Sequence, residues 1–150
     1  MECEFPKQNA TSAEIAEILR TAKVIAVVGA SPKRERPSHR ISIYLKDHGY
    51  KVVPVNPGQT EILGDPSYRS LSEVPEPVDI VDIFRDPAAV PGIVEEAIAK
   101  KAKAIWMQEG IVHNAAAEKA RAAGLKVVMN KCIYKEHAAI AGGHGGPPLQ

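Results

Sequence analysis

Short apolar runs alternating with stretches of helical periodicity constrain this chain more than any other feature. Val24 to Val28 is a continuous β-branched and apolar run with no polar face, which predicts a strand buried on both sides in the middle of a sheet. It ends at Gly29. Lys51 to Val55 repeats the pattern and stops at Asn56-Pro57-Gly58, because proline has no amide to give to a sheet ladder. Val78 to Phe84, Ala104 to Met107 and Lys126 to Met129 complete a set of five main strands. Thr11 and Glu14 form a capping box ahead of a leading helix whose Ile15, Ile18 and Leu19 share one face. Ile41, Tyr44, Leu45 and His48 predict a second helix over about Ser38 to His48, with Gly49 at the left-handed cap. Asp86-Pro87 reads as a cap and a first-turn proline before the apolar face of Val90, Ile93, Val94, Ala97 and Ile98. Asn114 reads as the cap of an alanine-rich helix ending at Gly124. The expected fold class is therefore α/β, a three-layer sandwich around a mostly parallel sheet of five main strands.

Gln59 to Pro77 holds too many prolines for more than a turn, a vestigial strand near Tyr68 and a short helix. The tail, about 142 to 150, is rich in glycine and proline and is expected to be mobile. At 150 residues, one domain spanning 1-150 is expected. Lys plus Arg number 19 against 18 Asp plus Glu, so no global field draws the protein to nucleic acid or an anionic membrane. No apolar run approaches the roughly 18 residues that span a bilayer, and the polar start lacks the features of a signal peptide. These readings predict a cytoplasmic protein that keeps its two cysteines, Cys3 and Cys132, reduced.

In an open parallel sheet, ligands bind outside the carboxyl ends of the strands. The loops starting at Gly29, Asn56, Phe84, Gln108 and Asn130 lie there, and all are polar or contain glycine. In the first, glycine lets the backbone pass close to a phosphate, Ser31 offers a hydroxyl, and a helix starting near Ser38 presents free amides. Lys33, Arg34, Arg36 and Arg40 concentrate positive charge around it. A phosphate-bearing ligand is the economical reading; a merely solvated basic loop is the alternative. The dinucleotide fingerprint is incomplete, since positions 29, 31 and 34 are Gly, Ser and Arg, and Val55-Asn56-Pro57 stands where NAD proteins carry an acidic residue. A Walker A loop is absent.

Several segments together carry a resemblance. Val28-Gly29-Ala30-Ser31-Pro32, Arg36-Pro37-Ser38 with Arg40, Pro54-Val55-Asn56-Pro57, Val81-Asp82-Ile83-Phe84-Arg85, Trp106-Met107-Gln108 and Cys132 with Glu136-His137 occur in an order that resembles the small stand-alone CoA-binding proteins. These are similar to the CoA-binding domain of the succinyl-CoA synthetase alpha chain. The resemblance implies a Rossmann-like fold with coenzyme A across the carboxyl edge. It implies that Gly29, Ala30 and Ser31 meet the pyrophosphate, with Arg36, Ser38 and Arg40 assisting. Val55, Asn56 and Pro57 would border the adenosine, with Phe84 and Arg85 along its other side. Gln108, Glu109 and Gly110 would lie toward the pantetheine arm, and Asn130 to Cys132 toward the thiol. One departure concerns the ribose 3′-phosphate: Gln59 follows Gly58 where the synthetases tend to carry a basic residue, so Arg34, Arg36 or Arg85 must supply the charge.

A ligase of the synthetase type needs further domains that 150 residues cannot hold. Cys132 is the one plausible nucleophile, but a lone cysteine after a buried strand is more often a packing residue. Cys132, Glu136 and His137 match no standard metal spacing. Asp79 and Asp82, three apart on a strand, point to opposite faces and cannot act as a catalytic pair. Trp106 reads as core. The leading expectation is a CoA or acyl-CoA binding protein without turnover, a carrier, sensor or accessory subunit, with a homo-oligomer or protein partner open. A small NAD(P)-dependent oxidoreductase and a Rossmann-fold interaction scaffold are the alternatives. Filling Gly29 with a bulky side chain is expected to block the pyrophosphate approach and abolish CoA binding without unfolding the sheet.

Overall fold

The computed structural model describes residues 4–143. The elements run α1 (Ser12–Thr21), β1 (Val24–Val28), α2 (Pro37–Asp47), β2 (Lys51–Val55), a small hairpin of β3 (Glu61–Ile62) and β4 (Asp65–Pro66), β5 (Ile80–Ile83), α3 (Val90–Lys100), β6 (Ala104–Met107), α4 (Asn114–Ala122), β7 (Lys126–Val128) and α5 (Ile133–Gly143). The five long strands form one parallel sheet in the order β2-β1-β5-β6-β7. The chain goes outward from β1 to β2, then crosses back to β5 and continues the other way. Strand order therefore reverses between β1 and β5, which makes their carboxyl ends the place where a cleft opens in such a sheet.

Successive strand residues feed two cores. Ala26, Val28, Val53, Val81, Ile83, Ile105 and Met107 pack beneath α3 and α4. Ile25, Val27, Val52, Ile80, Trp106 and Val128 pack beneath α1, α2 and α5. Both faces are covered, which is why the strands read as unbroken apolar runs rather than as alternating ones. The result is the expected Rossmann-like α/β sandwich of five main parallel strands.

The local signals fare unevenly. Thr11 and Glu14 form the capping box: the Glu14 amide donates to the Thr11 hydroxyl at 3.1 Å and the Thr11 amide to the Glu14 carboxylate at 2.8 Å. Gly49 takes φ 94° after α2, as a left-handed cap requires. Asn114, by contrast, does not cap α4. His113 does, its Nδ1 accepting from the Ala116 amide at 3.1 Å, while Asn114 is held by Glu4 and Phe5 of the leading segment. Asp86 makes no side-chain cap bond; Pro87–Ala89 forms a 3-10 turn, and α3 starts only at Val90. Between β2 and β5, Tyr68 forms an isolated bridge to Val55 and Leu71–Glu73 a 3-10 turn, to which the small hairpin is added. The helix α5 was not expected, and its last turn takes in Gly142 and Gly143, which the sequence assigned to the tail; the rest of that tail, and Cys3, lie outside the described residues.

Asp79 stands at the amino edge, where its Oδ2 accepts from the amides of Lys23 and Val24, each at 2.9 Å. Burial works to raise its pKa, but the Val24 and Lys23 donors, aided by Lys103, outweigh it and hold the carboxyl below its ordinary value. Asp79→Ala should therefore cost about 1–3 kcal/mol in chemical denaturation, since two donors lose a charged acceptor. An unchanged midpoint would contradict that role.

Candidate functional site

The loops after β1, β2, β5 and β6 surround an open cleft of about 820 Å³ at the carboxyl edge. Gly29, Ala30 and Ser31 form its base, continuing through Lys33 and Arg36 to Ser38 on the first turn of α2. Asn56, Pro57 and Gln59 border one side, and Phe84, Arg85, Asp86 and Pro87 border another. Gln108, Glu109, Gly110, Ile111 and Cys132 close the far end. Its volume is within the roughly 300–1,000 Å³ of small-molecule sites.

The β1 loop is braced from several directions. The Gly29 amide donates to the Val55 carbonyl at 3.0 Å, Asn56 Nδ2 donates to the Ala30 carbonyl at 2.8 Å, and His39 Nδ1 donates to the Ser31 carbonyl at 2.9 Å. The Ser31 hydroxyl accepts from the Lys33 amide at 3.1 Å, turning the chain toward α2. Gly29 itself has φ 95°, and a Cβ there would lie 2.6 Å from the Phe84 carbonyl oxygen and 3.1 Å from Arg85 Cδ. Its lack of a side chain therefore serves the contact between the β1 and β5 exits. A bulky residue at 29 would therefore press on the β5 exit as well as on the phosphate approach.

Arg36 occupies the N-cap of α2 without a side-chain cap bond; Pro37 has no amide proton and the His39 and Arg40 amides donate to the Arg36 carbonyl, which leaves the Ser38 amide as the free donor of the first turn, where several were expected. Lys33, Arg36 and Arg85 line the cleft and form no ion pair among the described residues. Of the two carboxylates in the lining, Glu109 is paired with Lys135 at 3.2 Å, which leaves Asp86. The arrangement suits an elongated anion with an apolar end near Ile41, Ile111 and Cys132.

Thirteen of the sixteen residues singled out from the sequence line the cleft; Arg40, Val55 and Asn130 do not. Arg40 Nη1 donates to the Glu35 carbonyl at 2.8 Å on the outside of the loop. Val55 sends its side chain into the core under α3 and supports the site only through its carbonyl. Asn130, at φ 58°, uses its Oδ1 to accept from the Gly110 amide at 2.8 Å, so it shapes the β6 exit from behind. The lining also includes Lys33, Pro37, Ile41, Gln59, Pro87 and Ile111, which were not among the candidates. Lys33 was legible as part of the basic cluster, whereas Ile41 read only as part of the apolar face of α2 and Ile111 carried no signal. Arg34, one of the three candidates for a 3′-phosphate partner, is absent from the lining, while Arg36 and Arg85 are present.

Below the far end of the cleft lies Asp82, fully buried. Gln108 Nε2 donates to its Oδ1 at 2.5 Å, and the Ile133 amide at the start of α5 donates to Gln108 Oε1 at 3.4 Å. The second oxygen, Oδ2, has no partner. Burial pushes the carboxyl up to about 8, against the lowering effect of the Gln108 donor, so the group is a neutral acid at pH 7. Trp106 is wholly buried, as expected, with Nε1 donating to the Lys131 carbonyl at 2.8 Å. No described helix is long and apolar enough to cross a membrane, and the described residues contain no group of three or more metal-ligating side chains.

Against this geometry, the family model of a CoA binding domain matches residues 23–138. YneT of Bacillus subtilis (strain 168) is 42% identical over 131 residues, covering 87% of this chain and 97% of its own length. The ADP-forming acetate–CoA ligase I of Archaeoglobus fulgidus is 33% identical over 129 residues, and the match spans 79% of this chain but 19% of the ligase. Among solved structures, a hypothetical protein from Pyrococcus horikoshii OT3 is 42% identical with a TM-score of 0.87, covering 95% of this chain and all of the other.

Proposed function

The chain belongs to the CoA binding domain family, and from that premise we propose that it is a coenzyme A or acyl-CoA binding module whose ligand lies along the cleft. The observation that carries this reading is the junction of the Gly29–Ser31 turn with the Ser38 amide at the start of α2, beside Lys33 and Arg36. A diphosphate needs amides, a close backbone approach and unpaired cations, and the three meet there. The adenosine lies between Asn56-Pro57 and Phe84-Arg85, and Arg36 or Arg85 meets the 3′-phosphate. The pantetheine runs past Gln108, Glu109 and Gly110 toward Cys132. Arg40, Val55 and Asn130 act on this site from outside it. The residues bind and orient the ligand without turnover, in keeping with a cytoplasmic carrier, sensor or accessory subunit working with a homo-oligomer or protein partner.

Arg36→Glu separates fold from ligand. An acidic residue at a helix N-terminus favours the helix, so thermal stability should hold, while the like charge should weaken CoA binding about tenfold or more. Unaltered affinity would remove the diphosphate from this junction. Mass spectrometry of ligand retained by the native protein then separates CoA from its acyl thioesters; retained NAD instead would favour an oxidoreductase.

A further inference from the structure

The two helices bordering the cleft, α2 through Ser38 and Ile41 and α5 through the preceding Cys132, are joined one helical turn further on by a buried histidine. His137 of α5 is wholly buried, and its Nδ1 is 2.8 Å from the Tyr44 hydroxyl of α2. Its Nε2 has no partner. The surrounding rings are those of Tyr44 at 5.4 Å, His48 at 5.1 Å and Tyr50 at 5.7 Å between centroids, and Tyr134 packs edge-on against Tyr44 at 4.6 Å. The buried face of the neighbouring α1 is apolar, formed by Ile15, Ile18 and Leu19. Among the described residues His137 forms no ion pair with a carboxylate.

We propose that this seam is an acid-release clasp: protonation of His137 frees α5 from α2 and opens the Cys132 end of the cleft. A neutral imidazole satisfies the Tyr44 hydroxyl through Nδ1 and leaves a single unmet polar atom. An imidazolium in the same place is a buried cation whose one hydrogen-bond partner, the Tyr44 hydroxyl, is uncharged and which has the His48 ring rather than a carboxylate beside it, and release to water relieves both costs. Burial first, and His48 second, hold the His137 pKa below its ordinary value. The sign follows: a released helix binds the proton more readily, so acidification through the histidine range favours release. Asp82, also buried beneath α5, has its carboxyl pushed up to about 8, and Tyr50 beside His137 has its hydroxyl pushed up to about 12, so acidification gives neither a charge that could pair with the imidazolium.

The chain's one tryptophan reports the event, because Trp106 is buried in the core that α5 covers and donates to Lys131 at the root of that helix. Hydrogen exchange and Trp106 emission should be followed from about pH 7.5 to about pH 5, across the histidine range. In the wild type, protection of the α5 amides should fall with a red shift of emission, while protection of β1 and β5 persists. His137→Gln keeps a hydrogen-bonding neutral group and His137→Phe keeps the packing; each should abolish the transition. Flat exchange and emission in the wild type, or an unmoved transition in both variants, would overturn the clasp. The ligand arm rests on the cleft being the CoA site: affinity should fall up to about tenfold per pH unit below the midpoint in the wild type and not in His137→Gln. CoA that fails to bind at pH 7.5 overturns the ligand reading, and the exchange result still decides the clasp. CoA that binds equally at both pH values while α5 opens overturns the coupling to the cleft.

Discussion

Gly29→Val should lower stability by about 2–4 kcal/mol, combining a left-handed backbone with a side chain that has no room. The Cβ would meet the Phe84 carbonyl at 2.6 Å, and backbone cannot yield as a flexible side chain could. The β5 exit must move away from the β1 exit, and the two walls of the cleft separate with it. Loss of CoA binding in this variant would therefore combine blockage with distortion. Denaturation midpoints measured alongside binding distinguish the two, and a stable Gly29→Val protein would show that the β5 loop yields without cost.

Asp82→Asn should stabilise the protein, and by more as pH rises. In the wild type the native carboxyl is half-protonated only at about 8, whereas its unfolded counterpart ionises near the ordinary value of 3.8. Over that interval the unfolded chain gives up a proton that the native one keeps. Stability contributed at this position is thus fully present below pH 3.8 and is lost as pH rises, by up to about 1.4 kcal/mol per unit until the native group also ionises. Asparagine keeps an acceptor for Gln108 Nε2 and has no charge to bury. The stability difference between variant and wild type, measured by denaturation at a series of pH values, should widen between roughly pH 4 and 8 and then level off. A difference that stays constant would mean that the carboxyl is already ionised in the native state.

Much of the fold is legible in the sequence because its cause is local. Each of the five sheet strands is apolar enough to be buried on both faces, and strands of that kind separated by helices leave few arrangements other than a covered parallel sheet. What escaped was set by partners distant in the chain. Asn114 has a favoured cap side chain, but Glu4 engages it and His113 takes the cap. The inward face of α5 includes His137, so the apolar stripe that would have marked a helix is interrupted. Its apolar positions are too few to outweigh the glycines that follow.

The candidate site divides on the same line. Loop residues after the strands could be named from the order of elements alone, and most do face the cleft. Arg36 and Arg40 are a helical turn apart and were read together, yet Arg36 is the extended N-cap, outside the helical periodicity, and the two side chains part. Asn130 looked like a ligand contact because it follows a strand; its left-handed backbone turns the amide toward Gly110 instead. The close contact of Gly29 with Phe84 joins residues from different strand exits, and no spacing rule reveals it.

The central claim is tested most directly by calorimetric titration of CoA into the purified, ligand-free protein near pH 7.5, with NAD titrated in parallel. A saturable one-to-one isotherm with CoA, and no heat with NAD, is the predicted result. A folded protein that gives no heat with CoA at millimolar concentration, or that binds NAD in its place, would contradict the account.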